Sequence, residues 1–406
     1  MLRFRGVGVL KLWEKRLKPA GQTAVAIPAA LLAETGLGML NLGLIFYMRE
    51  VFRLAPGQVG WLAATWETCY VCGCLTMRPI FERLRPRSAL ILAMTGMSGS
   101  VLAILVSRTV FLCYILYGFF GFSLSFFWAP LMSWVSSASE GRELGRAISR
   151  LTLASSAGII ASPFLAGLLS SLAPAYPLYA ALLVFSSILT LLVGSSLIPE
   201  QKEMARPHEG GAAGESQENK STPLRYPAWV GLFCTYVCLA VVLNIFPMHA
   251  RDVLGLSKKT IGTLLLMRAL FTGFGYVLLG RLNFWHFNPL PMSASLGLLA
   301  LLLLALPVAR TPLCLGLILA CLGPLVAFGF SSGFFHGASG SAHRASRLAT
   351  HEALLALGMI TGSAAGGQLY QRFSLGAVSL FCLGVLCTGI WLQLLLGLRR
   401  RQSRPL

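Results

Sequence analysis

The chain has 406 residues, 56% of them hydrophobic and 12% charged, against roughly 25% charged in a soluble domain. Apolar runs this long and numerous exceed what a buried soluble core takes up, and a bilayer accommodates them. The formal net charge of +19 sits between and beyond those runs, a pattern that excludes a nucleic-acid groove and fits membrane topology.

Residues 1–21 interleave Arg3, Arg5, Lys11, Lys15, Arg16 and Lys18 with Leu2, Phe4, Leu10, Leu12, Trp13 and Leu17. The apolar run behind them is too long for a signal-peptide core, and no cleavage pattern closes it. A short basic amphipathic helix lying on the cytoplasmic surface, feeding a retained first span, is expected. Stretches long enough to cross a ~30 Å hydrocarbon core follow at 22–48, 57–78, 88–107, 109–135, 147–171 and 175–197. Residues 199–226 are charged, rich in Gly and Glu and without apolar periodicity, as a flexible connector is. Apolar stretches resume at 227–249, 259–281, 289–309, 312–335, 350–370 and 375–398. The reading is an all-α polytopic membrane protein with twelve spans. One six-helix bundle occupies 22–198, a cytoplasmic linker 199–226 and a second six-helix bundle 227–398, with a basic cytoplasmic tail at 399–406.

Lysine and arginine orient the chain. With both termini cytoplasmic they fall about three to one on the inner side. A multi-pass protein of the cell (inner) membrane is expected, surrounded by lipid and acting as a monomer. All ten cysteines lie within apolar runs, where a free thiol behaves as a small hydrophobe, so neither a disulfide framework nor a metal site is expected.

The stretch from Gly158 through Ser162, Pro163 and Ala166 to Gly167 is echoed two hundred positions later by Gly358, Gly362, Ser363, Gly366 and Gly367. Small residues four apart share a helix face and let another backbone approach closely. A second repeat pairs Arg49, Glu50, Val51, Phe52, Arg53 and Leu54 with Arg251, Asp252, Val253, Leu254, Gly255 and Leu256, and Gly60 and Gly262 continue it. The chain is a duplication. Parallel six-span halves related by an axis along the membrane normal are a transporter architecture.

These motifs resemble those of the major facilitator superfamily. Gly158 to Gly167 is similar to its fifth-helix signature G-x-x-x-G-P-x-x-G-G, with Ser162 and Ala166 in place of two glycines; the copy from Gly358 keeps the glycines and has Ser363 for the proline. The loop from Arg78 to Arg87 is similar to the family's G-x-x-x-D-R-x-G-R-R, Glu82 taking the acidic place, Arg83 retained and Arg87 a trailing base. The fourth-helix arginine of many proton-coupled exporters is missing, and Tyr114 stands near its place. The resemblance implies that the first, fourth, seventh and tenth helices line a central cavity and that the second and eighth lie between the halves. It also implies a cytoplasmic charge latch, here from Glu82, Arg83, Arg87, Glu143 and Arg146, whose plain alternative is retention of positive charge inside.

A charge at mid-bilayer costs at least ~2.5–3.5 kcal/mol, so each one needs a reason. Glu34 is near the middle of the first span, with Asn41 seven residues on and roughly 10 Å along the same face. A buried carboxyl there is a candidate proton carrier; the plain alternative is a protonated or helix-bonded glutamate. Glu67 sits midway along the second span and Arg268 midway along the eighth. They form either a structural ion pair, or a gating carboxylate and an arginine that docks an anionic substrate group. Trp128, after Phe126 and Phe127, lines a cavity for a ring-bearing substrate or simply packs. His336 ends the tenth span and can titrate near neutral pH. His249, His351 and Glu352 also lie near interfaces. Pro163 interrupts the repeated stripe, where a kink would assist rocking between halves.

No G-x-x-x-x-G-K-[ST] loop is present, so ATP hydrolysis by this chain is not expected. A small-molecule secondary transporter working by alternating access follows, with no cofactor, energised by a proton or cation gradient and leaning toward export. The competing classes are a polytopic membrane enzyme and a transport-inactive sensor. The first needs an acid–base or metal cluster that His343, His351 and Glu352 do not form, and the second needs an output domain for which 399–406 leaves no room.

Overall fold

The computed structural model describes residues 6–76, 84–137, 141–195, 222, 224–339 and 344–402. The elements in order are α1 (Gly6–Glu50), α2 (Pro56–Thr76), α3 (Pro86–Val106), α4 (Val110–Leu124), α5 (Trp128–Ser137), α6 (Gly141–Leu172) and α7 (Tyr176–Gly194). After the linker come α8 (Arg225–Ala240), a π-helical turn (Val241–Ile245), α9 (Phe246–Asp252), α10 (Lys258–Arg281), α11 (Leu290–Ala305), α12 (Pro312–Ala338), α13 (Arg344–Arg372) and α14 (Leu375–Gln402). Each of the twelve expected spans coincides with one helix or with consecutive helices. Among the described residues eight helical segments are long and apolar enough to cross a membrane, and α4 and α11 are shorter apolar helices.

The two halves repeat each other's packing. In the first half α1 packs on α6 and α7, and α2 on α4; in the second, α8 packs on α13 and α14, and α10 on α12. Two seams join the halves, α2 against α13 and α6 against α10. The repeat extends to single hydrogen bonds. Leu54 N donates to Met48 O and Leu256 N to Ala250 O. Arg49 Nη1 reaches Leu54 O at 2.6 Å, and Arg251 Nη1 reaches Leu256 O at 3.3 Å. Both turns hold a residue at positive φ, Arg53 at 53° and Gly255 at 66°. Only the second copy places glycine where that conformation favours it.

Three features depart from the expected spans, two of them because of proline. The fourth span is broken between α4 and α5. Pro130 has no N–H and its ring excludes the carbonyl of Phe126. The chain tightens first: Ser125, Phe126 and Phe127 donate to carbonyls three residues back, and Ser125 Oγ also reaches Phe122 O at 2.7 Å. Phe126 and Phe127 are thereby buried in the core at this helix break. In the seventh span Pro247 is preceded by the π turn, in which Phe246 N donates to Val241 O; an extra residue per turn absorbs the missing donor. The third departure is α1, which runs unbroken from Gly6 to Glu50. The basic N-terminal segment continues the axis of the first span and is not a separate helix.

Candidate functional site

The glycine stripes act at two levels. Their first members pack each half internally. A Cβ at Gly158 would meet Glu34 Cβ at 2.8 Å, and one at Gly358 would meet Tyr236 Cβ at 2.9 Å, so Glu34 and Tyr236 occupy equivalent places. Ser162 seats against Gly38, and Gly362 against Ala240. Gly366 faces Val241 and Ile245 of the π turn. The last members cross between halves. A Cβ at Gly167 would stand 2.9 Å from Gly262 Cα, and one at Gly367 would stand 3.0 Å from Gly60 Cα. Pro163 contributes its carbonyl to the same contact with Gly262. Backbone meets backbone at both seams, and no larger residue fits.

Polar links between the halves gather at that same end. Arg49 pairs with Asp252. Lys258, 7% exposed, reaches Glu50 Oε2 at 2.6 Å and Ser170 O at 3.0 Å. Gly57 N donates to Gln371 Oε1 at 3.0 Å. The Glu352 side chain is 62% exposed, yet its charge reaches Tyr70, Tyr236 and Tyr276 on three other helices. Glu352 on α13 thus lies toward residues of α2, α8 and α10.

Farther along the spans is a group of buried polar side chains. Glu67 is 7% exposed and Arg268 6%, and among the described residues neither has an ion-pair partner. The ion pair that sequence spacing allowed between them does not form. Glu67 lies close enough to Tyr70, Tyr117 and Tyr236 for its charge to be felt there, and Arg268 acts likewise on Tyr236 and Tyr276. Tyr236 is common to both. Tyr117 donates to Asn41 Oδ1 at 2.8 Å, which carries the first span into the group. Trp66 stacks on Tyr70 at 6.4 Å and on Tyr117 at 6.2 Å. Asn244, in the π turn, donates to Ser363 Oγ at 2.8 Å.

Of the residues singled out from sequence, Asn41, Glu67 and Arg268 thus come together. Glu34 is half-buried and packs its Cβ against Gly158 of α6. Trp128 opens α5 and packs edge-on against Phe127 at 4.9 Å. His336 is fully buried and fully used: its Nε2 accepts from Phe287 N at 3.2 Å, and Nδ1 donates to Ser332 O at 2.9 Å. It clasps the turn between α10 and α11 and offers nothing to a substrate. His351 has an oxygen at each nitrogen, Phe330 O at 3.3 Å and Glu352 Oε1 at 3.2 Å. His249 has neither nitrogen bonded and stacks edge-on against Tyr370. Glu82 and Arg83 lie outside the described residues, as do the side chains of Glu143 and Arg146. Arg87 sits over the Trp134 ring at 5.7 Å. Sequence reasoning missed Tyr70, Tyr117, Tyr236, Tyr276 and the link at Lys258. The 202-residue offset pointed to Tyr236, since it maps Glu34 onto that position; Lys258 reads in sequence as an ordinary loop lysine.

Two six-span halves meeting along glycine seams around a buried charged centre define a secondary transporter in a membrane, not an enzyme. A family model described as Major Facilitator Superfamily matches residues 26–342, and the chain belongs to that superfamily. Among solved structures, the crystal structure of nucleoside transporter NupG matches with a TM-score of 0.70 at 10% identity, over 92% of this chain and 98% of that one. A mutant form of the same transporter matches with a TM-score of 0.66 at 13% identity, over 92% and 99%. The comparison with curated proteins gives no match. At such identities the likeness carries the fold, and the substrate is left to the residues of this chain.

Proposed function

We propose that the protein moves a small molecule by rocking its two halves about the group centred on Tyr236, driven by a proton gradient, with Glu67 as the coupling carboxyl. The observation that carries this is a set of ties between the halves confined to one end, beside a buried polar centre. Seams, ion pairs and Gly57–Gln371 tie the halves together at one end, while Glu67 and Arg268 lie buried between the ends, without an ion-pair partner among the described residues. With both termini cytoplasmic, the closed end is the outer one and the conformation faces inward. Glu67 is preferred to Glu34 because its charge reaches tyrosines of both halves, so its protonation state is felt by the elements that must move. The fifth-span stripe, through its resemblance to the family signature, favours export.

The test is transport in proteoliposomes of a compound found by thermal shift on the purified protein. A pH gradient should drive accumulation in wild type. Glu67→Gln should abolish that accumulation while keeping exchange of substrate for substrate, and Glu34→Gln should keep both. If Glu34→Gln alone uncouples transport, the coupling group is Glu34. If the gradient has no effect on wild type, proton coupling is wrong.

A further inference from the structure

The duplication places two unlike donors at one equivalent position. Trp66 on α2 and Arg268 on α10 are 202 residues apart, and each seats its carbonyl on a glycine of the neighbouring helix, Gly121 on α4 and Gly323 on α12, themselves 202 apart. The two side chains are thus related by the axis between the halves. Both carry a buried donor without an acceptor, Trp66 Nε1 and Arg268 Nε. A buried guanidinium with no carboxylate or carbonyl opposite it costs several kcal/mol as a rule. Tyr236 and Tyr276 lie near enough to feel its charge. Each can hydrogen-bond an anion as well as a cation. Such a site is built to be completed by something that accepts.

We propose that Arg268, with Tyr236 and Tyr276, docks the anionic group of the substrate, and that the substrate is a small organic anion, a carboxylate, carrying a second hydrogen-bond acceptor toward Trp66. A planar guanidinium suits a carboxylate, offering two parallel donors. An indole N–H offers a single donor and cannot neutralise charge, so the second contact selects a neutral acceptor. Because one donor belongs to each half, a ligand that spans both ties the halves together only when they are closed about it. This inference rests on the transporter reading and names the substrate class of the same site.

The experiment compares binding of nicotinate, benzoate and nicotinamide to the purified full-length protein in nanodiscs, by thermal shift and by titration. Nicotinate has a carboxylate and a ring nitrogen, benzoate lacks the acceptor, and nicotinamide lacks the charge. Wild type should bind nicotinate at least 10-fold tighter than either. Arg268→Gln should lose the preference for carboxylate over amide, and Arg268→Lys should keep part of it. Trp66→Phe should lose the preference for nicotinate over benzoate alone. Folding is controlled by the unliganded proteins: Arg268→Gln should melt no lower than wild type, because it removes an uncompensated buried charge, whereas a structural arginine would be missed. A lower unliganded melting temperature for Arg268→Gln, or equal binding of nicotinate and nicotinamide, overturns the proposal, and so does a wild type that binds none of the three. If wild type instead binds and moves neutral or cationic compounds, anion docking fails while the transporter reading stands.

Discussion

At the residue scale, what decides a buried polar group's role is whether its hydrogen-bonding capacity is used up. His336 and Arg268 looked alike in sequence, each a polar residue inside an apolar run. The structure separates them: both nitrogens of His336 are bonded, while Arg268 Nε has no acceptor. His336→Ala should therefore lower stability by about 1–3 kcal/mol, since it strands the Phe287 N–H and the Ser332 carbonyl lone pair, and leave substrate affinity unchanged. A melting curve beside a binding titration checks both. Only part of the site was legible beforehand. Glu67, Arg268 and Asn41 were found because charge and amide are rare in hydrocarbon. The tyrosines were invisible, because a phenol is ordinary in a membrane helix and only its neighbours make it functional.

At the element scale, the glycine repeat was legible and its use was not. Spacing shows that Gly158 to Gly167 forms a smooth stripe, but not that the stripe serves two different partners along its length. Packing geometry supplies the reason. α6 lies against α1 within its own half at Gly158 and Ser162, then crosses α10 of the other half at Gly167, where Gly262 lies too close to admit a side chain. Gly167→Val should thus spare folding of the first half and block closure of the seam, because the atoms in its way are backbone and cannot turn aside. Overpacking of this kind costs about 1–3 kcal/mol, enough to depopulate the closed end roughly 5- to 150-fold. Spin-label distances across the α6–α10 seam should lengthen, with transport lost and membrane insertion unchanged. Unchanged distances would mean that the seam yields in some other way. The breaks in the fourth and seventh spans show the opposite case: Pro130 and Pro247 were plain in the sequence, but whether a helix answers with a tightened turn or a π turn depends on the neighbours that take up its carbonyls.

At the scale of the whole molecule, the fold must let one end close without making closure permanent. Seams that were only glycine contacts would be cheap to open, and ion pairs alone would be weakened by water and salt. The closed end combines the two, with Lys258 as the member most removed from water. Arg49, Asp252 and Glu50 are each about one-quarter to one-third exposed, so their pairings contribute little individually. Lys258 differs because its ammonium is buried and bonded on both sides, to a carboxylate of α1 and a carbonyl of α6. Lys258→Met should remove about 1–2 kcal/mol from the closed end, moving the balance of the two conformations by a factor of about 5–30. Reversing the pair, Glu50→Lys with Lys258→Glu, restores the attraction but faces the Ser170 carbonyl with a carboxylate in place of a donor. Its rescue should consequently be partial, closer to wild type than Lys258→Met in the fraction of molecules closed at this end yet short of it. Full rescue would show that the charge pair alone holds the end, and no rescue would show that the Ser170 contact does.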